Sequence, residues 1–194
     1  APQRGLTGLE FAHGIPGSVG GALFMNAGAY GGEMAQVVLG ATALTPTGER
    51  RDYTSAALRL AYRHSVFAEQ PTAQRELIAA VQFRLTAGDP EEIAARMKDL
   101  MVRRREKQPL EYPSAGSFFK RPEGYFAAAL LEECGLKGYR IGDAQISDKH
   151  AGFVVNRGHA TAAEILALCR HAQETVRRQR GVALEPEVQF VGEF

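Results

Sequence analysis

Seven glycines crowd one short stretch of the chain: Gly14, Gly17, Gly20, Gly21, Gly28, Gly31 and Gly32, of 21 in all. Glycines let main chain come close to a flat ligand or a phosphate, and they admit positive φ. The spacing is not GxGxxG, no acidic residue follows at the distance of a ribose ligand, and no Lys-Ser/Thr follows as in a Walker loop. On the residues alone, a ligand loop and a set of structural turns both stand open. Arg63 is an isolated arginine, whose ordinary fate is a surface ion pair. Ser117, just after Gly116, suits a turn. Arg103-Arg104-Arg105-Glu106-Lys107 reads mostly as the solvated C-terminal end of a helix, where cations complement the dipole. His13, His150, His159 and His171 have no metal-ligand spacing. Cys134 and Cys169 form no metal or redox motif and read as reduced core residues of a cytoplasmic protein.

The elements that must position these residues are of mixed kind. Residues 35–44 read as a strand, Thr45-Pro46-Thr47-Gly48 as a turn and Arg51–Tyr53 as the start of the return strand. Residues 76–86 alternate as another long strand. Asp89 caps a helix with Pro90 at its first position, and Ile93, Met97, Leu100 and Met101 form its apolar face. The stretch from Gln108 to Ser117 is punctuated by proline, as an interdomain connection is. A helix follows over Tyr125–Cys134, with Gly135 beyond its end. Strands are expected over Ile141–Ile146 and Gly152–Asn156. Thr161 and Glu164 form a capping box ahead of a helix that runs to Arg180 and stops at Gly181. A last strand is expected over Glu187–Val191. Strands and helices mix without regular βαβ alternation, so the fold class is α+β.

Composition narrows the functions. The chain has 194 residues, enough for one or two domains with a real core. With 45% hydrophobic and 23% charged residues it is not a disordered polymer. Lys plus Arg is 23 and Asp plus Glu is 22, a net charge of +1, which argues against a chain-wide polyanion surface and against nucleic acid as partner. The longest apolar run, Phe126–Leu131, is too short to span a bilayer, and no signal-peptide pattern opens the chain.

The segment LEFAHGIPGSVGGALFMNAGAYGGE resembles the signature of the UDP-N-acetylenolpyruvoylglucosamine reductase family, flavoenzymes of peptidoglycan synthesis. Tyr62–Phe67, Pro113–Lys120 and Leu184–Val188 resemble three further blocks of that family in content and order, and Gly138–Asn156 is similar to its shorter subtype. The resemblance covers essentially the whole chain. It implies FAD as cofactor, NADPH as reductant and UDP-N-acetylglucosamine enolpyruvate as substrate. It also implies part of a vanillyl-alcohol-oxidase-type FAD-binding subdomain over residues 1–106, a substrate domain over 107–184, and a C-terminal strand over 185–194 that returns toward a first lobe.

By the same resemblance, Gly14, Ile15, Pro16, Gly17, Ser18, Gly20, Gly21, Asn26, Ala27 and Gly28 bind the cofactor. Arg63 faces the substrate carboxylate, with Glu187 as its acidic partner, either sharing a proton with the intermediate or fixing the arginine. Ser117 matches the proton donor. A hydroxyl is a weak acid, yet it suffices when the proton acceptor is a strongly basic carbanion-like species. Tyr62, Lys107, Lys120 and Arg121 match substrate-binding positions, the cations toward the diphosphate. His64 stands where the family often has Asp, Leu60-Ala61 where it has Phe-Gly, and Arg121 where many members carry Asn.

The family's proteins begin with another flavin-binding lobe, and nothing in residues 1–194 resembles it. The expectation is that these residues alone hold FAD weakly or not at all and are inactive, and that the strand ending at Phe194 is an open edge prone to pair with a second copy. Two rival readings are a flavin oxidoreductase of another substrate and a UDP-sugar-binding fragment without catalysis.

Overall fold

A computed structural model describes residues 1–192. The chain divides into two compact units, Ala1–Arg104 and Arg105–Phe194.

In the first unit, Leu6–Thr7 (β1) pairs with Thr86–Ala87 (β7). The glycine stretch is a short helix, Val19–Phe24 (α1), followed by a miniature hairpin of Gly28–Ala29 (β2) and Gly32–Glu33 (β3). The hairpin turns through Tyr30 and Gly31, both at positive φ, which is the left-handed turn that follows the natural twist of paired strands. Val38–Leu44 (β4) lies at the centre of an antiparallel sheet, flanked by Arg50–Thr54 (β5) and Leu77–Phe83 (β6). A four-residue helix, Val66–Glu69 (α2), precedes β6. The strand expected over residues 76–86 thus divides, with β6 ending at Phe83 and β7 serving a different partner. Pro90–Lys107 (α3) starts as forecast, with Asp89 Oδ1 accepting from the Glu91 N–H at 2.8 Å, and its last turn belongs to the second unit. Leu23, Met34, Ala43, Leu58 and Phe67 centre the core of the first unit.

The second unit is a four-stranded antiparallel sheet, Ser114–Ser117 (β8), Phe153–Asn156 (β11), Ala144–Ile146 (β10) and Arg140–Ile141 (β9) in spatial order. Ala127–Glu133 (α4) and Ala162–Arg180 (α5) bury Leu130, Leu131, Leu168, Cys169, Ala172 and Val176 against Ala144, Ile146 and Val154 of the sheet. In α5 the Thr161 and Glu164 side chains cap each other's backbone N–H groups, and Gly181 ends the helix at φ 70°. Both thiols are buried and reduced.

Three expectations for this unit are corrected. Residues 141–146 are not one strand: Gly142, at φ 56°, turns the chain so that β9 and β10 pair with each other. Residues 114–117, read as connection, are a strand, because Phe153 and Val155 offer them a partner. No strand forms over residues 187–191: an isolated bridge joins Phe119 to Pro186, the Glu187 N–H bonds the Phe118 carbonyl, and Val191 is exposed. The open edge expected for pairing with a second copy is therefore absent among the described residues, and the rest of that expected strand, up to Phe194, lies outside them.

Candidate functional site

The first unit carries the glycine stretch and Arg63. Gly14 and Gly17 have φ of 81° and 132°, which L side chains rarely adopt, and around Gly17 there is open space. Pro16, Gly17 and Ser18 are exposed, with Gly14 beside them and Ile15 half-buried. Ser18 caps α1, its Oγ accepting from the Gly21 N–H at 3.0 Å. Gly20 packs on Ile78 at an ordinary distance. Gly28 has a different reason to be glycine: a Cβ there would lie 2.9 Å from the Gly32 carbonyl oxygen. The stretch therefore divides into an exposed loop, Gly14–Ser18, with open space at Gly17 and close packing of Gly14 on Met101 and Arg104, and a tightly packed hairpin.

Asn26 is 1% exposed and sits at φ 42°. Its side chain bonds to Ala35 N–H, Glu33 and the Ala61 carbonyl. Ala27 takes part through its backbone, donating to the Ala22 carbonyl at 2.8 Å and accepting from Met34 at 3.0 Å.

Arg63 stands in a tight turn closed by reciprocal backbone bonds between Ala61 and His64, and its own φ is 51°. Its guanidinium lies over the ring of Tyr62, 5.3 Å from the centroid, and Tyr62 itself is largely exposed. His64 contacts Glu69 at 3.1 Å, and Glu69 also pairs with Arg59.

Of the basic run, Arg103 and Arg105 are exposed as expected. Arg104 is not: it is 5% exposed, with its guanidinium over the Tyr30 ring. Spacing along α3 would have found it, since Ile93, Leu100 and Arg104 share a face at steps of seven and four.

The second unit carries the remaining candidates. Ser117 ends β8 beside a register shift in its pairing with β11, after Gly116 at φ 84°. Such a bulge re-aims the residue that follows it. Ser117 is exposed, while Phe118 and Phe119 turn into the core. The C-terminal segment zips alongside: Lys120 N–H donates to the Glu185 carbonyl at 2.9 Å, and Glu187 N–H to the Phe118 carbonyl at 2.8 Å. This fixes the Glu187 backbone one residue from Ser117. Lys120 Nζ meets Glu185 at 2.5 Å. The Arg121 guanidinium stacks on the Phe126 ring at 3.9 Å. Lys107 is exposed at the end of α3.

His150, which carries no role in the sequence reading, accepts the Gly152 N–H at Nδ1, 3.0 Å away. Burial pushes its pKa down, helped by the charges of Lys137 and Lys107, so the ring is neutral with its proton on Nε2.

Ser117, Lys120, Arg121 and Glu187 are thus gathered at the end of β8 and along the segment that bonds to residues 185–187, whereas Arg63, Tyr62 and the glycine loop belong to the other unit. Among the described residues no helix is long and apolar enough to cross a membrane.

The chain matches two known families. Residues 108–191 match the UDP-N-acetylenolpyruvoylglucosamine reductase C-terminal domain, and residues 1–54 match an FAD binding domain. It is 56% identical over 194 residues to the UDP-N-acetylenolpyruvoylglucosamine reductase of Agathobacter rectalis, spanning 60% of that protein. It is 52% identical to that of Exiguobacterium sibiricum, spanning 62%. The crystal structure of the corresponding reductase from Thermus caldophilus superposes with a TM-score of 0.83 at 38% identity, over 97% of this chain and 66% of that one. The chain thus spans about three fifths of the length of the curated relatives it matches.

Proposed function

The chain belongs to the UDP-N-acetylenolpyruvoylglucosamine reductase family, and from that membership we propose that it serves the NADPH-dependent, FAD-mediated reduction of UDP-N-acetylglucosamine enolpyruvate to UDP-N-acetylmuramate, a peptidoglycan precursor. A cytoplasmic setting, in which both buried thiols stay reduced, belongs to the same proposal.

The exposed Gly14–Ser18 loop fits the cofactor, since its left-handed glycines and the open space at Gly17 leave main chain accessible to a flat group or a phosphate. Gly14, Ile15, Pro16, Gly17, Ser18, Gly20 and Gly21 would hold FAD there, which when bound supplies hydride transfer between NADPH and the substrate. Arg63 holds the substrate carboxylate and stabilises the negative charge that spreads into it, and Tyr62 braces the guanidinium. Ser117 Oγ gives its proton to the carbon that bears the carboxylate. Glu187 supplies an acid beside that serine. Lys107, Lys120 and Arg121 attract the diphosphate, Lys120 at the expense of its ion pair with Glu185.

The observation that carries this reading is the end of β8, where a bulge presents Ser117 and the Phe118–Glu187 backbone bond holds the Glu187 main chain one residue away. The test separates the two half-reactions under anaerobic conditions. With Ser117→Ala, NADPH should still bleach the flavin, while reoxidation by the enolpyruvyl substrate should slow by roughly a hundredfold or more. Equal loss in both halves would count against the proton-donor role.

A further inference from the structure

The left-handed backbone of Arg63 needs an explanation. A bulky residue at φ 51° persists only where its surroundings over-determine it. The closing bonds of the turn, Ala61 N–H to His64 at 3.2 Å and His64 N–H to Ala61 at 3.1 Å, shape the loop but do not anchor it. Two buried polar side chains provide the anchor. Asn26, 1% exposed, donates through Nδ2 to the Ala61 carbonyl at 3.0 Å and to Glu33 Oε2 at 3.3 Å, while its Oδ1 accepts from Ala35 N–H at 2.8 Å. Ser65, fully buried, donates through Oγ to the Phe24 carbonyl at 2.7 Å. The residues on both sides of the Tyr62-Arg63 pair are therefore tied to one short segment, Phe24–Asn26, at the end of α1. Leu58 and Phe67, both fully buried, fix the two ends of the same loop in the core. On its exposed side lies the His64–Glu69–Arg59 cluster.

We infer that Asn26 and Ser65 are positioning residues that fix the Arg63 turn on the end of the glycine stretch. The side chain of Asn26 then serves the arginine rather than the cofactor. Its two Nδ2 hydrogens and its Oδ1 already have partners inside the protein. The inference rests on the reading of Arg63 as the ligand of the substrate carboxylate. If that reading holds, moving the turn should weaken recognition of the carboxylate and leave recognition of the rest of the UDP-sugar alone.

The test compares two ligands that differ in that group. Calorimetric titration of the holoenzyme with UDP-N-acetylmuramate, which carries the carboxylate, and with UDP-N-acetylglucosamine, which lacks it, gives a ratio of affinities. Ser65→Ala removes one tether. Asn26→Asp keeps the shape but replaces the donor to Ala61 with an acceptor, beside the Glu33 carboxylate. Each should reduce the ratio about tenfold, and neither should reduce it further when Arg63→Ala is already present. A merely structural role would weaken both ligands together and leave the ratio unchanged, which would overturn the inference. Release of the flavin by Asn26→Asp would overturn it too, in favour of cofactor contact. Reductions that multiply with that of Arg63→Ala would do the same. Should Arg63→Ala itself leave the ratio intact, the role given to Arg63 fails, and the failure is then distinguishable from that of the tethers. If Asn26→Asp does not fold, Ser65→Ala decides the matter alone.

Discussion

A buried carboxylate in the first unit shows how a single side chain sets the conditions under which the fold holds. Burial works to raise the pKa of Glu10, but the Thr7 hydroxyl, the Gly8 N–H and the charge of Arg96 together hold it below the ordinary carboxylate value. A carboxyl whose pKa is lower in the folded than in the unfolded state stabilises the fold above the unfolded value. That contribution fades as the pH falls through the folded one. Glu10→Gln should therefore lower stability by about 1–3 kcal/mol near neutrality, and by much less at pH 3, which thermal unfolding at the two pH values would show. Neither this cluster nor the tethers of Arg63 could be read from the sequence. Arg96 stands 86 positions from Glu10 and Ala61 35 from Asn26, and only the fold brings each pair together. Arg104 is the contrary case: its three-residue basic run looks like a solvated helix end, yet its spacing from Ile93 and Leu100 marks the buried face that carries it against Tyr30.

Where the signal is local, whole elements were legible. Asp89-Pro90 at the start of α3, and Thr161, Glu164 and Gly181 around α5, each act on backbone groups within a turn of themselves, so their meaning survives without tertiary context. Thr161→Ala should cost about 1 kcal/mol and lower the midpoint of thermal unfolding by a few degrees, leaving the sheet signal intact. Strands were less legible because their reason lies in a partner. Residues 114–117, Ser-Ala-Gly-Ser, have little strand propensity, and pair because β11 lies alongside. Residues 187–191 alternate well and form no strand, since among the described residues the pairing stops at the bridge of Pro186 and the Glu187–Phe118 bond. Gly142-Asp143 is a hairpin signal that the apolar flanks obscured.

At the scale of the molecule, each unit has its own apolar core, one centred on Leu23, Leu58 and Phe67 and the other on Leu131, Ile146 and Leu168. Residues 105–192 expressed alone should retain helical circular dichroism and unfold cooperatively in urea. A featureless, non-cooperative loss of signal would show that this core depends on the other unit. The proline-punctuated stretch after residue 107 signalled a change of organisation, though not the strand within it. The pairing of residues 118–120 with 185–187 also has a consequence in time. Its partners stand some 65 positions apart, and a ribosome delivers the serine long before the glutamate. The nascent chain must make β9, β10, β11 and all of α5 before Glu187 reaches its place. A translation product cut short within α5 would carry Ser117 and all four strands of its sheet, but not the glutamate whose backbone bonds to Phe118.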